Sequence, residues 1–364
     1  MAPEYELYIR NASGVLVARR DDFLNISISR TINAADIAVF SYSSAQVYVT
    51  PDLVMGYIIE IYRRDLTQSI PWTQEFAGII RKIKRTISEQ TIFEVSCVGM
   101  VGLLGTRIVA WRDGVVNRSV FLSQPAETVL KTLFNFNVGA SATTANGRLL
   151  GGSITGMTTT ASGGAGNAVS MSVAYMNLLQ AMQKVAEEGG GDFDLLYTAP
   201  ATWTYTWYTG QRGTNRTSTV RLSIPLNTVG ELVIDDDRIV DFTSVIIGGT
   251  GEAAARLTNT APSSLPTGLA SREIFIDARN QKKSSAAALF DVATAELVRQ
   301  SRRRTTYTAT VIQGALMYGR DYFLGDLVTV QDGTTLITQK VAGIDIDFSS
   351  EGREDINVTL TNNN

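Results

Sequence analysis

Apolar and polar residues alternate with a period of two along most of the first hundred residues. Tyr5, Leu7 and Ile9 alternate with charged or polar neighbours, and so do Leu24, Ile26 and Ile28. This period points one face of a strand inward and the other outward. The segments YIIEIYRRD (Tyr57–Asp65), FAGIIRKIKRTI (Phe76–Ile87) and TIFEVSCVG (Thr91–Gly99) continue it. Turn chemistry separates the strands, as in Asn11-Ala12-Ser13-Gly14. Later the pattern changes to a helical one in three places. A first helix is expected from Ser123 or Gln124, with Pro125 in its first turn and Val129, Leu130, Leu133 and Phe134 on one face. A second covers about Tyr175–Glu188, with Leu178, Leu179, Met182 and Val185 inward, and stops at Gly189-Gly190-Gly191. The third begins near Ser284 or Ser285, carries Leu289, Val292, Ala293 and Leu297, and ends in Arg302, Arg303 and Arg304.

Between the first two helices the pattern disappears. Of the 28 residues from Gly139 to Gly166, 22 are Gly, Ala, Ser or Thr, which reads as a long mobile loop. Strands resume at WTYTWYT (Trp203–Thr209) and TVRLSI (Thr219–Ile224), and a second loop covers Thr258–Gly268. The fold class is therefore α+β and β-rich.

One unit recurs. Gly56 opens GYIIEIY, followed by FAGIIRKIKR and EQTIFEVSC; Gly325 opens GDLVTVQ, followed by VAGIDIDF and REDINVTLT. In both copies a Gly leads a strand, an Ala-Gly pair (Ala77-Gly78, Ala342-Gly343) opens the next, and a charged turn leads the last. A trimer of chains that each carry the unit twice would present six similar faces, so three-fold symmetry would mimic six-fold.

Composition narrows the functions. The chain has 364 residues, 44% apolar and 18% charged, enough for more than one core. A net charge of −3 gives no basic excess for nucleic acid. No run of eighteen apolar residues occurs, and the start MAPEYELYIR lacks the basic-then-apolar order of a secretory leader, so synthesis in a cytoplasm is expected. With no histidine, the Ser-His-Asp, Cys-His and His-ligated zinc chemistries are excluded. The one cysteine, Cys97, alternates with Phe93 and Val95 and reads as a buried strand residue.

The remaining motifs favour plain readings. Gly249-Thr250-Gly251 followed by Ala254 fits a dinucleotide fingerprint but precedes no long helix. In Asp235-Asp236-Asp237 adjacent side chains point opposite ways and cannot all reach one cation. Glu187, Glu188, Asp192 and Asp194 have no spacing that sets up a glycosidase pair. Arg81–Arg85 and Arg299–Arg304 read as partner-facing or solvated basic runs. Trp203, Tyr205 and Trp207 fit either a strand core or a sugar-stacking platform.

Six phrases in order carry a resemblance: PWTQEFAGII (Pro71–Ile80), LLGTRIVAW (Leu103–Trp111), QPAETVLKTLF (Gln124–Phe134), VIIGGTGEAAARL (Val245–Leu257), REIFIDARN (Arg272–Asn280) and YGRDYFLGDLVTVQ (Tyr318–Gln331). Together they resemble the tail hub or baseplate hub proteins of long-tailed, siphovirus-like bacteriophages, which are related in fold to the central hub of contractile tails. The resemblance implies two small tube-protein-like β-barrel domains with helix-containing insertions. In this numbering the first barrel is 1–110, an inserted α+β domain is 111–228 with its small-residue loop at 139–166, and 229–257 holds strands completing the central region. An inserted loop and helix take 258–304, and the second barrel is 305–364.

It further implies a non-enzymatic virion protein at the distal tail tip, a homotrimer that adapts a six-fold tube to a three-fold tip and lets DNA pass. The implied partners are other copies, the tail tube or distal tail protein, the tape-measure protein and downstream tip or fibre proteins. DNA passes without sequence-specific binding, and no catalytic residue, cofactor or metal is expected. The expected ring interface comprises Gly56, Ile59, Ile61, Phe76, Gly78, Arg81 and Ile83, with the counterparts Gly325, Asp326, Val328, Val330, Gly343, Ile344 and Ile346. The alternative is a receptor- or carbohydrate-binding tail tip protein that uses Trp203–Tyr208.

Overall fold

The computed structural model describes residues 3–43, 52–87, 90–112, 114, 118–237, 242–264, 266–279, 285–300, 304–312 and 314–361. Alternation in the first hundred residues produces β1 (Glu4–Arg10), β2 (Leu16–Arg20), β3 (Asn25–Thr31), β4 (Ile37–Ser43), β5 (Ile58–Asp65), β6 (Ile70–Thr86) and β7 (Ile92–Gly99). A single turn, α1 (Val101–Leu104), then leads to β8 (Ser119–Pro125), α2 (Ala126–Asn137), β9 (Met157–Thr159), β10 (Ala168–Val173), α3 (Leu178–Gly189), β11 (Gly191–Thr198) and β12 (Thr202–Thr209). After β13 (Arg221–Leu222), β14 (Val229–Asp237) leads out to β15 (Ser244–Gly248), β16 (Thr258–Ala261), β17 (Glu273–Asp277) and α4 (Ala286–Gln300). The chain returns through β18 (Arg304–Val311), β19 (Leu327–Asp332), β20 (Thr335–Ser349) and β21 (Glu354–Thr361).

These elements form two compact units, Met1–Val233 with Tyr307–Asn364, and Ile234–Thr306. The segment expected to supply strands at 229–257 divides accordingly. β14 joins the large sheet beside β18, whereas β15 pairs antiparallel with β16 and parallel with β17 in the smaller unit's own sheet. There Val245 and Ile247 pack against Leu289 and Ala293 of α4.

In the larger unit the repeated sequence appears as two antiparallel meanders, β5-β6-β7 and β19-β20-β21. Gly56 and Gly325 lead them with φ of 86° and 91°, a left-handed conformation that costs glycine little. Each Ala-Gly pair falls inside the long middle strand, where Gly78 faces Ile59 and Gly99, and Gly343 faces Thr31 and Thr359. The meanders share one 13-stranded sheet of order β14-β18-β21-β20-β3-β4-β7-β6-β5-β1-β2, with β19 on β20 and β13 on β19. The joint is the β3–β20 ladder, in which Ile28 faces Ile346 and Ile26 faces Phe348. A single apolar core spans both meanders, including Leu7, Ile28, Phe40, Ile61, Val95, Val330, Ile346 and Val358.

Helices α2 and α3 pack together in the inserted region over Val129, Leu130, Leu133, Phe134, Met182 and Val185. Both start later than the apolar period alone suggests. Pro125 still belongs to β8, and the Asn177 side chain accepts from the Gln180 N–H to cap α3 at Leu178. Trp203, Tyr205 and Trp207 point inward from β12, and Tyr205 stacks on Phe134 at 5.0 Å. Burial rules them out as a sugar platform. Nor is 139–166 an unattached loop: Ala142 and Met157 are buried, and Ile154 donates to the Val138 carbonyl. Glu127 accepts from the amides of Gly163 and Ala165, and Lys131 donates to the Ala161 carbonyl. Small side chains let this backbone lie close to α2, so composition mimicked a flexible linker.

Candidate assembly surfaces

The residues expected at a ring interface fall into two groups. Ile59, Ile61, Phe76, Val328, Val330, Ile344 and Ile346 are brought together, but in the chain's own core. Their side chains are spent on internal packing and none faces outward to meet a neighbour. Asp326 is also buried, accepting from the amides of Thr214 and Phe323 and from Arg216 Nε at 2.7 Å. Gly56, Gly78, Gly325 and Gly343 shape backbone. Only Arg81 is exposed, with Ile83 half-buried against the core.

The surfaces open to a partner are elsewhere. Beyond the Tyr57–Ile80 bond, β6 is paired with β7 on one side, and no described strand lies on its other. This free edge exposes Arg81, Lys82, Lys84 and Arg85, with Glu94 4.0 Å from Lys84. The sheet also ends at β2 and β14, and no described strand covers either end. Val15, Leu16 and Val17 are 61%, 47% and 41% exposed at the first end, and Val233 is 49% exposed at the second. Unpaired strand edges with apolar side chains invite association. The signal for these positions was local: Val15-Leu16-Val17 is an apolar run that does not alternate, so it cannot bury every side chain beneath one sheet.

A second group of charged side chains gathers between the meanders and the inserted region. A cavity of about 320 Å³ is lined by Arg30, Glu75, Arg212, Arg216, Tyr318 and Asp326, among others. Glu75 accepts from the Tyr318 hydroxyl at 2.8 Å and from Arg30 at 3.2 Å, and Arg212 pairs with Asp194 at 2.8 Å. Asp192 and Asp194, two of the carboxylates without glycosidase spacing in the sequence, are thus bound to cations of this chain. Asp192 holds Lys340 at 3.0 Å and the Arg212 amide at 2.9 Å. Burial pushes the Cys97 thiol well above its usual range, as suits an inert core residue.

Asp36 is pushed up to about 6, first by burial and then by nearby Asp194, against the lowering influence of Arg30. A carboxyl raised in the folded state adds stability below its unfolded value, and that stability is lost as pH rises through the folded one. The wild type is expected to gain on Asp36→Asn as pH falls from 7.5 to 5, in thermal melts of both proteins. An equal gap at both pH values would show that Asp36 is ionised throughout.

With this geometry in view, the decisive comparison is a family model for siphovirus ReqiPepy6 Gp37-like proteins, which matches residues 67–360. The chain belongs to that family. Among solved structures it is similar to the tail protein from Neisseria meningitidis MC58, with a TM-score of 0.60 at 14% identity, covering 99% of this chain and 97% of that one. It is also similar to the 43 kDa tail protein of prophage MuSo2 from Shewanella oneidensis, with a TM-score of 0.58 at 13% identity over 98% of each chain. The prophage tail protein gp18 from Listeria monocytogenes gives 0.54 at 11%, covering 99% and 94%. No curated protein sequence matches. The family is one of siphovirus proteins, and its fold here, β-rich and α+β, is that of phage and prophage tail proteins.

Proposed function

We propose that the chain is a non-enzymatic structural component of the virion, a homotrimeric hub at the distal end of the tail. Three copies close into a ring around a channel, adapt a six-fold tube to a three-fold tip, and let DNA leave. The observation that carries this reading is the sheet with two unlike ends, β2 with exposed Leu16 and Val17, and β14 with exposed Val233 beside acidic Glu231. Two dissimilar edges on one molecule favour head-to-tail contact, and such contact closes into a ring when the rotation allows. The doubled meander supports the symmetry argument, since six related units then surround the axis. The tube or distal tail protein would sit on one side of the ring, with the tape-measure protein's end inside it and tip or fibre proteins below. The exposed basic edge of β6 is the natural contact for an acidic neighbour.

Light scattering after size exclusion tests the assembly. Three chains of 39.4 kDa should appear at about 118 kDa. Leu16→Lys, on the exposed end strand, should keep its circular dichroism spectrum and run as a monomer. A wild-type monomer that stays monomeric beside its tube partner would refute the ring. A trimer that survives Leu16→Lys would move the joint away from β2.

A further inference from the structure

A second concave surface lies on the outer face of the first meander, one strand in from the β2 end of the sheet. Strands β1, β5 and β6 form its floor, and a cleft of about 270 Å³ is lined by Glu6, Tyr8, Arg10, Glu60, Tyr62 and Trp72. Register sets the pattern: Glu6 faces Tyr62 and Tyr8 faces Glu60 across the β1–β5 ladder. The two tyrosine rings therefore meet diagonally, edge to face at 5.0 Å. Trp72 adds a third ring, held by the Arg64 guanidinium 4.6 Å over it.

The polar groups are fixed in place. Glu60 is fully buried, yet it lines the cleft. It accepts from Arg10, from the Tyr62 hydroxyl at 2.7 Å, from the Tyr197 hydroxyl at 3.1 Å and from Gln74 at 3.4 Å. Glu6 accepts from the Tyr8 hydroxyl at 3.1 Å and from Arg19. Burial, then the bond to Glu60, pushes Tyr62 up to about 12, so its hydroxyl keeps its proton at neutral pH. A buried carboxylate with four donors is expensive to build for packing alone, because apolar residues of the same volume would serve.

The charges decide what fits. Glu6 is balanced by Arg19 and Glu60 by Arg10. No net charge is left to recruit a phosphate, a carboxylate or an ammonium group. What remains is aromatic surface beside planar, pre-oriented hydrogen-bonding groups. The C–H face of a pyranose ring carries slight positive charge and lies well on a π face, while its hydroxyls bridge donors and acceptors. The volume suits one sugar ring, being below the roughly 300–1,000 Å³ of drug-sized sites. We propose that this cleft binds a neutral pyranose, as one residue of a longer glycan.

This site is independent of the hub reading, because it needs neither a second copy nor a tube. The test is saturation-transfer NMR on the full chain with three neutral probes, tetramers of N-acetylglucosamine, glucose and galactose, and with polygalacturonate as a charged control. At least one neutral probe should give a signal that weakens tenfold or more in Trp72→Ala and in the milder Glu6→Gln, with melting temperatures near wild type. Polygalacturonate should give none. Silence from all three neutral probes with folded protein overturns the proposal. So does a signal that survives both substitutions. Loss of self-association in Trp72→Ala without any sugar signal would assign the cleft to contact between copies instead.

Discussion

Glu354→Ala should lower the stability of the larger unit by about 3–5 kcal/mol, the range for removing one partner of a buried ion pair. Arg63 on β5 is fully buried and meets Glu354 on β21 through two bonds, at 2.8 and 2.6 Å. The same carboxylate accepts the Tyr5 hydroxyl, and Arg63 also donates to the Tyr318 carbonyl. Alanine would leave a guanidinium in the core with one weak partner. Against a total stability of roughly 5–15 kcal/mol for a domain, that loss is large. Urea titration monitored by circular dichroism would measure it. Arg63→Met combined with Glu354→Leu should recover most of the loss, because an apolar pair leaves no charge behind. If the double substitution is as damaging as the single one, the network matters for its hydrogen bonds to Tyr5 and Tyr318 more than for its charge.

The second large effect should be local. In Asp192→Ala the amides of β11 and β12 should exchange faster, while those of β5 to β7 stay protected. Asp192 is buried on β11 and reaches Lys340 of β20 at 3.0 Å, Asn33 at 3.3 Å and the Arg212 amide at 2.9 Å. Asn33 in turn accepts the Phe193 amide and, through its carbonyl, the Gln183 side chain. One carboxylate therefore ties the inserted region to β20 of the second meander and to the turn between β3 and β4. Its loss should cost about 3 kcal/mol, in keeping with an orphaned, largely buried ammonium and lost charged hydrogen bonds. Hydrogen exchange read by mass spectrometry would separate this from global unfolding. Uniform acceleration across all strands would mean that Asp192 supports the whole unit. Lys340→Met added to Asp192→Ala should restore protection.

Much of this fold can be read from short stretches of sequence. The alternation at Ile26 and Ile28, the two Gly-led meanders and the inward aromatics of β12 all follow from side-chain periodicity. What joins them cannot be read this way. Residues 25–31 pair with 343–349 and Arg63 meets Glu354, contacts whose partners lie about 290 or more positions apart and leave no local trace. The β1–β5 cleft is of the same kind, since Tyr8 and Glu60 become neighbours only through register. For the surface, periodicity separates the two faces of each strand without marking which of them meets a partner. Ile59 and Ile61 mark the face that the chain keeps for itself, and Glu60 and Tyr62 mark the other. The small-residue stretch at 139–166 shows the limit of composition: glycine and serine there allow close approach to α2, and composition alone does not distinguish that from a tether.

The β3–β20 ladder also sets a timetable for the ribosome. β3 is made long before the strand it pairs with. Until then β3 has only β4 beside it, and the core shared by the two meanders stays open. Such distant pairing folds slowly and leaves apolar surface exposed in the meantime. A chain cut short before Thr335 would lack β20 and β21 and could not finish the sheet. Products truncated there would keep the apolar side chains of the shared core exposed, which distinguishes them physically from the finished unit.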